Sequence, residues 1–226
     1  MMNKKGFTLA EVLITLGIIG VIAAMTVPTL MNNSTELEFR SAYKKGMAAL
    51  NQAVTMNIAL DNVDFDSLTD TTTGDTTVDS LYALLAKRMT TINFTQEATS
   101  KEGEALNGPE GATNSAAKVG TNAAMFFTDG SAIVWAPSVL SNAGNRGEIP
   151  VLWDVNGIKK PNRLSWCDEN AVNGRKPDKV TVQTAEPGEV ACNDDNVVIR
   201  DQYSIKLTGN RALPNGPAAE YLFFGK

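Results

Sequence analysis

Between Lys5 and Glu36 the only ionisable side chain is Glu11, set in an otherwise apolar run. The stretch KKGFTLAEVLITLGIIGVIAAMTVPTL, Lys4 to Leu30, constrains the fold more than anything after it. Phe7 to Met31 is apolar apart from Thr, Gly, Pro and Glu11. As a helix rising about 1.5 Å per residue it reaches about 37 Å, enough to cross a bilayer. Lys4 and Lys5 precede it, so the positive-inside rule keeps the N-terminus cytoplasmic and sends the remainder outward. A carboxylate in the middle of a membrane helix costs roughly 2.5–3.5 kcal/mol on insertion scales. In the uncut chain the sequence gives Glu11 no partner, so its presence requires an explanation.

Pro28 is expected to kink or end the helix. The periodicity nevertheless resumes beyond it: Tyr43, Met47, Leu50, Val54 and Ile58 recur at steps of four and three, an apolar stripe on an amphipathic helix. Arg40, Lys44 and Lys45 fall mostly off that stripe. One long helix, bent near Pro28, is expected from about Phe7 to about Leu60, apolar all round in its first half and one-sided in its second. Asp61 to Asp79 is polar and threonine-rich and reads as a connection. Val78 to Met89 fits a second helix, with Leu81, Leu84, Leu85 and Met89 on one face. Gln96 to Asn122 is rich in Gly, Ala, Asn, Ser and Thr and reads as a long surface loop.

Strand signals follow. AMFFTDGSAIVWA, Ala124 to Ala136, has two β-rich runs joined by Asp129-Gly130, a hairpin signature. IPVLWDVNGIKKPN repeats the pattern, with Asn156-Gly157 at the turn. Weaker strands are expected at Lys179 to Thr184 and Tyr203 to Leu207. The apolar end of LPNGPAAEYLFFG is expected to pack back on the domain.

Several function classes are excluded. The chain has no histidine, which removes Ser-His-Asp and Cys-His nucleophilic sites, HExxH zinc sites and imidazole proton shuttles. With 20 basic against 25 acidic residues, no general nucleic-acid partner is favoured. The basic groups Lys159 to Arg163 and Arg175 to Lys179 read as solvated loop charges. Two cysteines, Cys167 and Cys192, do not make a four-ligand metal site; in an exported domain they read as a single disulfide. Asp154-Val-Asn156-Gly157 lacks the further oxygen ligands of a calcium loop, since Ile158, Lys159 and Lys160 follow, and reads as a turn. Cys192-Asn-Asp-Asp195 with Asp201 is a second acidic group. Neither is assigned a metal, and no cofactor is expected.

The N-terminus admits three readings. A cleaved secretory signal would need a better site than Ile22-Ala23-Ala24 and an apolar core free of Glu11. A plain anchor leaves Glu11 unexplained. The third reading rests on a short basic leader ending in Gly6, then Phe7, Thr8 and Leu9, with Glu11 five residues beyond the leader inside about twenty apolar positions. This segment resembles the N-terminus of type IV pilins and type II secretion pseudopilins. The resemblance covers about the first 30 residues strongly and the following amphipathic helix loosely.

The resemblance implies an α+β, pilin-like fold in which a long bent N-terminal helix packs on a C-terminal antiparallel β-sheet. It divides the chain into a leader (1–6), a transmembrane and assembly half of the helix (7–31), an amphipathic half (32–60) and a globular domain (61–226). It implies that a prepilin peptidase cuts between Gly6 and Phe7 and N-methylates Phe7. Inner-membrane assembly machinery then draws the subunit from the membrane into a filament of identical or related subunits. Glu11 would pair with the new Phe7 amine of a neighbour, because each charge alone is expensive in an apolar setting and the pair is far less so. Gly17, Gly20, Ala23 and Ala24 would permit close helix approach, and helical order between these glycines and Pro28 could be lost in the filament. The cysteine pair resembles the C-terminal disulfide-bounded loop of many pilins. A structural, non-enzymatic filament subunit is therefore expected. The alternative is a low-abundance minor pilin acting as a tip adhesin or ligand-binding module through the loop Gln96 to Asn122.

Overall fold

The computed structural model describes Gly6, residues 8–68, 80–95, 123–135, 149–157, Lys159, 164–167 and 192–225. The chain divides into two compact units, Met1–Glu38 and Phe39–Lys226. One helix, α1 (Leu9–Asp61), contributes to both and continues through Pro28. Proline has no N–H, so the Ala24 carbonyl lacks its usual partner there.

Within the first unit the apolar side chains from Leu9 to Met31 are largely exposed, among them Leu13, Ile14, Leu16, Ile19 and Met25. Leu9–Pro28, with a mean hydropathy of 2.2 and none of it buried, is long and apolar enough to cross a membrane. Its threonines bond inward: Thr15 Oγ1 donates to the Glu11 and Val12 carbonyls, and Thr26 Oγ1 to the Ile22 carbonyl, each at 3.0 Å. A hydroxyl satisfied by its own helix needs no water.

The second unit is α+β, as expected from the resemblance. A six-stranded antiparallel sheet has the order β1 (Thr91–Thr95), β2 (Ala123–Phe127), β3 (Ala132–Trp135), β4 (Ile149–Asp154), β7 (Gln202–Thr208), β8 (Arg211–Pro214). A two-stranded ribbon pairs β5 (Trp166–Cys167) with β6 (Val197–Val198). The stripe read from the sequence is the buried face of α1: Tyr43, Met47, Leu50 and Val54 are fully buried, and Ile58 packs partly against the same core. Tyr43 stacks on Tyr203 with ring centroids 4.0 Å apart, and Phe127 stacks on Trp153 at 5.5 Å. Trp153 and Tyr203 are cross-strand partners in β4 and β7, so the helix rests on the middle of the sheet. Such aromatic pairs add about 0.5–1.5 kcal/mol each beyond their buried area.

Polar side chains of α1 fix its register on the sheet. Asn51 donates to the Ala212 carbonyl at 3.1 Å and accepts from the Ala212 N–H at 2.8 Å, filling a ladder position of edge strand β8. Buried Asn57 donates to the Leu84 carbonyl at 2.7 Å, which would otherwise lack a partner near the end of α2 (Leu81–Ala86). The last turn of α1 has no basic residue of its own. Lys87 and Arg88 reach Asp61 at 3.5 and 3.0 Å and place positive charge at the negative end of the helix dipole.

The Asp129-Gly130 hairpin forms as expected: β2 pairs with β3 in the register Ala124↔Val134 and Met125↔Ile133, with Gly130 at φ 89°. The second expected hairpin does not form. β4 lies between β3 and β7, so both its edges are occupied before the chain turns at Asn156-Gly157. The strand stops because the Asp154 carboxylate accepts from the N–H groups of Asn156 and Gly157, at 3.0 and 2.8 Å. The second helix is shorter than the periodicity suggested, because Ser80 caps it, accepting from the Ala83 N–H at 3.0 Å. Tyr203 to Leu207 is strand, and β7 turns at Gly209-Asn210 into β8, which had no strong signal. The C-terminal stretch packs back as helix α3 (Pro217–Phe224), with Ala218, Ala219 and Leu222 buried. A short 3-10 turn, Phe65–Ser67, docks on the β7–β8 turn through Phe65 N to the Gly209 carbonyl at 2.9 Å. The expected strand at Lys179 to Thr184 lies outside the described residues.

At Gly46 α1 comes close to the sheet: a Cβ built there would lie 2.5 Å from the Trp153 ring. The ring is fully buried, in an interior where a large side chain shifts only at a cost. Gly46→Ala is therefore expected to destabilise the protein by about 1–3 kcal/mol through overpacking, despite alanine's better helix propensity. Thermal unfolding checks this; an unchanged or raised Tm contradicts the packing described.

Candidate processing and assembly site

The residues singled out at the N-terminus converge on the first turn of α1. Gly6 is exposed and non-helical, Thr8 precedes the helix, and Leu9 is its first residue. Phe7 lies outside the described residues. Thr8 N and Thr8 Oγ1 both donate to Glu11 Oε2, each at 2.8 Å, and the Glu11 N–H donates to Thr8 Oγ1 at 3.3 Å. The Val12 N–H donates to the Thr8 carbonyl at 3.3 Å, the first bond of the helical ladder. This is a reciprocal capping box, in which the N-cap hydroxyl and the carboxylate three residues on satisfy each other's backbone donors.

The expectation that Glu11 has no partner in the uncut chain is thus corrected. Its carboxylate is bound within its own subunit and lies at the positive end of the helix dipole, where negative charge is favoured. The signal was readable as Thr8-x-x-Glu11 ahead of an apolar run, the sequence form of a capping box.

At the other end of the chain, Cys167 and Cys192 form a disulfide with Cα atoms 5.5 Å apart and a sequence separation of 25. In the chain-entropy model a loop of this size stabilises by roughly 3–3.5 kcal/mol. Cys167 ends β5, and its neighbour Trp166 pairs with Val198 of β6. The turn after Cys192 is built on Asn193, whose Oδ1 accepts from the N–H groups of Asp195 and Asn196, at 2.9 and 3.0 Å. Asp194 accepts from the Tyr221 hydroxyl of α3 at 2.6 Å. Arg200 stacks over Trp166, 5.6 Å from the ring centroid.

The second acidic group does not act as a unit. Asp194 and Asp195 are exposed, whereas Asp201 is fully buried. Among the described residues no three His, Cys, Asp or Glu side chains are grouped to hold a metal. Of the two basic groups only Lys159 is described, and the loop Gln96 to Asn122 lies outside the described residues.

Residues 1–27 match the family described as the prokaryotic N-terminal methylation motif. The chain thus carries the prepilin-type cleavage and methylation segment found in type IV pilins and pseudopilins, on an apolar helix suited to anchoring in the inner membrane. No curated protein and no solved structure matches the chain.

Asp154 is the buried carboxylate outside this segment with the clearest consequence. It is fully buried, with Gln202 Nε2 donating to its second oxygen at 2.9 Å. Burial, reinforced by the nearby Asp201, pushes its pKa up to about 8, against about 3.9 in an unfolded chain. The folded state therefore keeps a proton that the unfolded state releases. Its contribution to stability is complete below about pH 3.9 and disappears as pH rises through about 8. Subtracting the unfolding free energy of Asp154→Asn from that of the wild type, pH by pH, isolates the effect. The difference should shift against the wild type between pH 4 and 8; a flat difference contradicts the buried, protonated carboxyl.

Proposed function

We propose that the protein is a structural subunit, a pilin or pseudopilin, of a type IV pilus or type II secretion pseudopilus. A prepilin peptidase cuts between Gly6 and Phe7 and methylates Phe7. The subunit waits in the inner membrane with its N-terminus in the cytoplasm, until the assembly machinery extracts it into an extracytoplasmic filament of identical or related subunits. The observation that carries this reading is the match at residues 1–27 on a helix whose apolar surface no described residue of its own unit buries. An all-round apolar helix stable in water would need partners; lipid before assembly and other subunits after it supply them in turn.

In this reading Glu11 pairs with the Phe7 ammonium of the adjacent subunit. A single buried pair between identical helices also sets register, because a slip leaves two charges unpaired. Pro28 and the glycines at 17 and 20 form the weak stretch of the helix. The ladder lacks a bond at Pro28, and a Cβ at either glycine would meet nothing within 4 Å. Local unwinding there on assembly follows. No catalytic role is assigned.

Filament formation in the cell tests this reading. The chain should be recovered in sheared extracellular filaments or, with overexpression, in extended pseudopili, and Glu11→Val should abolish that recovery while the processed subunit stays in the membrane. Wild-type secretion and filament yield with Glu11→Val would refute the pairing.

A further inference from the structure

Glu11 is oriented by one residue. Both hydrogen bonds its carboxylate accepts come from Thr8 and end on Oε2, and among the described residues no donor reaches Oε1. A glutamate on the exposed side of a helix otherwise samples several rotamers. Two donors from a single residue, closed by the return bond from Glu11 N to Thr8 Oγ1, tie the carboxylate to the helix axis. One oxygen is committed and the other is presented. Cleavage between Gly6 and Phe7 would leave the arrangement standing, because the Thr8 N–H belongs to the next peptide bond and the hydroxyl is untouched.

We propose that Thr8 is a positioning residue for filament assembly: it holds Glu11 Oε2 so that Oε1 is offered, in a fixed place, to the N-terminal ammonium of a neighbouring copy. The proposal rests on the reading of Glu11 as the assembly carboxylate. An ammonium is a compact charge that gains most from a carboxylate already set at hydrogen-bond distance. In a medium without water, a carboxylate that must first be gathered from several rotamers makes a slower and weaker contact. Thr8 also keeps Oε2 satisfied while the neighbour is absent, so the waiting subunit has no wholly unpaired carboxylate near the membrane.

The test uses the full chain expressed with its own peptidase and assembly machinery, in four forms beside the wild type: Thr8→Val, Thr8→Ser, Glu11→Val and the Thr8→Val/Glu11→Val double variant. Cleavage is read from the mass of the membrane-extracted subunit, and assembly from the sheared filament fraction. Thr8→Val keeps the branched shape of threonine, puts a methyl group in place of the hydroxyl and leaves the backbone N–H donor. It should be cleaved normally yet lower filament yield by about tenfold, the loss expected for one hydrogen bond to a charged group. Thr8→Ser should restore the yield, and the double variant should be no worse than Glu11→Val. Wild-type yield with Thr8→Val beside failure of Glu11→Val overturns the role of Thr8 and leaves the Glu11 reading intact. Normal assembly of Glu11→Val overturns that reading itself. An uncleaved Thr8→Val subunit also overturns the proposal, because the hydroxyl would then serve the peptidase.

Discussion

Everything in this protein depends on one helix that must suit two surroundings. The first part of Leu9–Asp61 is apolar on every side and exposed; from Tyr43 onward one face is buried on a sheet and the other is wet. The change is written in the spacing of apolar residues. An all-round apolar run cannot be covered by a single sheet, so it calls for lipid or other helices. A stripe at steps of three and four buries fully on one sheet. That stripe reaches the centre of the sheet through aromatic stacking of Tyr43 on Tyr203 and through the absence of a side chain at Gly46, where the Trp153 ring approaches.

Glu11 shows how a charge can serve such a helix twice. Within the subunit it closes a capping box with Thr8, which satisfies exposed backbone donors at the helix start and lies well with the dipole. Between subunits, in the proposed function, the same carboxylate meets an ammonium. The two uses are compatible because they can employ different oxygens. The energetic difficulty posed by a carboxylate in an apolar run is therefore eased before any partner arrives.

The sequence was most legible where periodicity was strong and long. The buried stripe of α1, the Asp129-Gly130 hairpin and the C-terminal return all follow from residue patterns and turn chemistry. It was least legible where tertiary neighbours decide. Asn156-Gly157 carries a hairpin signal, yet β4 already has β3 on one side and β7 on the other. Nothing local to IPVLWDVNG reveals that β7, some fifty residues later, takes that edge. The edge strands were missed for a related reason. Thr91–Thr95 is short, with a bulge between Thr91 and Asn93, and Arg211–Pro214 ends in a proline, so neither shows clean alternation. At the N-terminus the methylation motif was legible through its resemblance to a known family, because its residues are few and lie close together in the chain. The capping box in the same residues has an equally local signal, Thr8-x-x-Glu11.

The central claim is that Gly6 and Phe7 form a processing junction and that the apolar helix remains part of the mature protein. Tandem mass spectrometry of the N-terminal peptide from membrane-extracted or filament-derived protein tests it most directly. The account predicts a mature chain that starts at N-methylated Phe7 and retains Glu11. A chain beginning at Met1, or one starting near Met25 with the apolar segment removed, would contradict it.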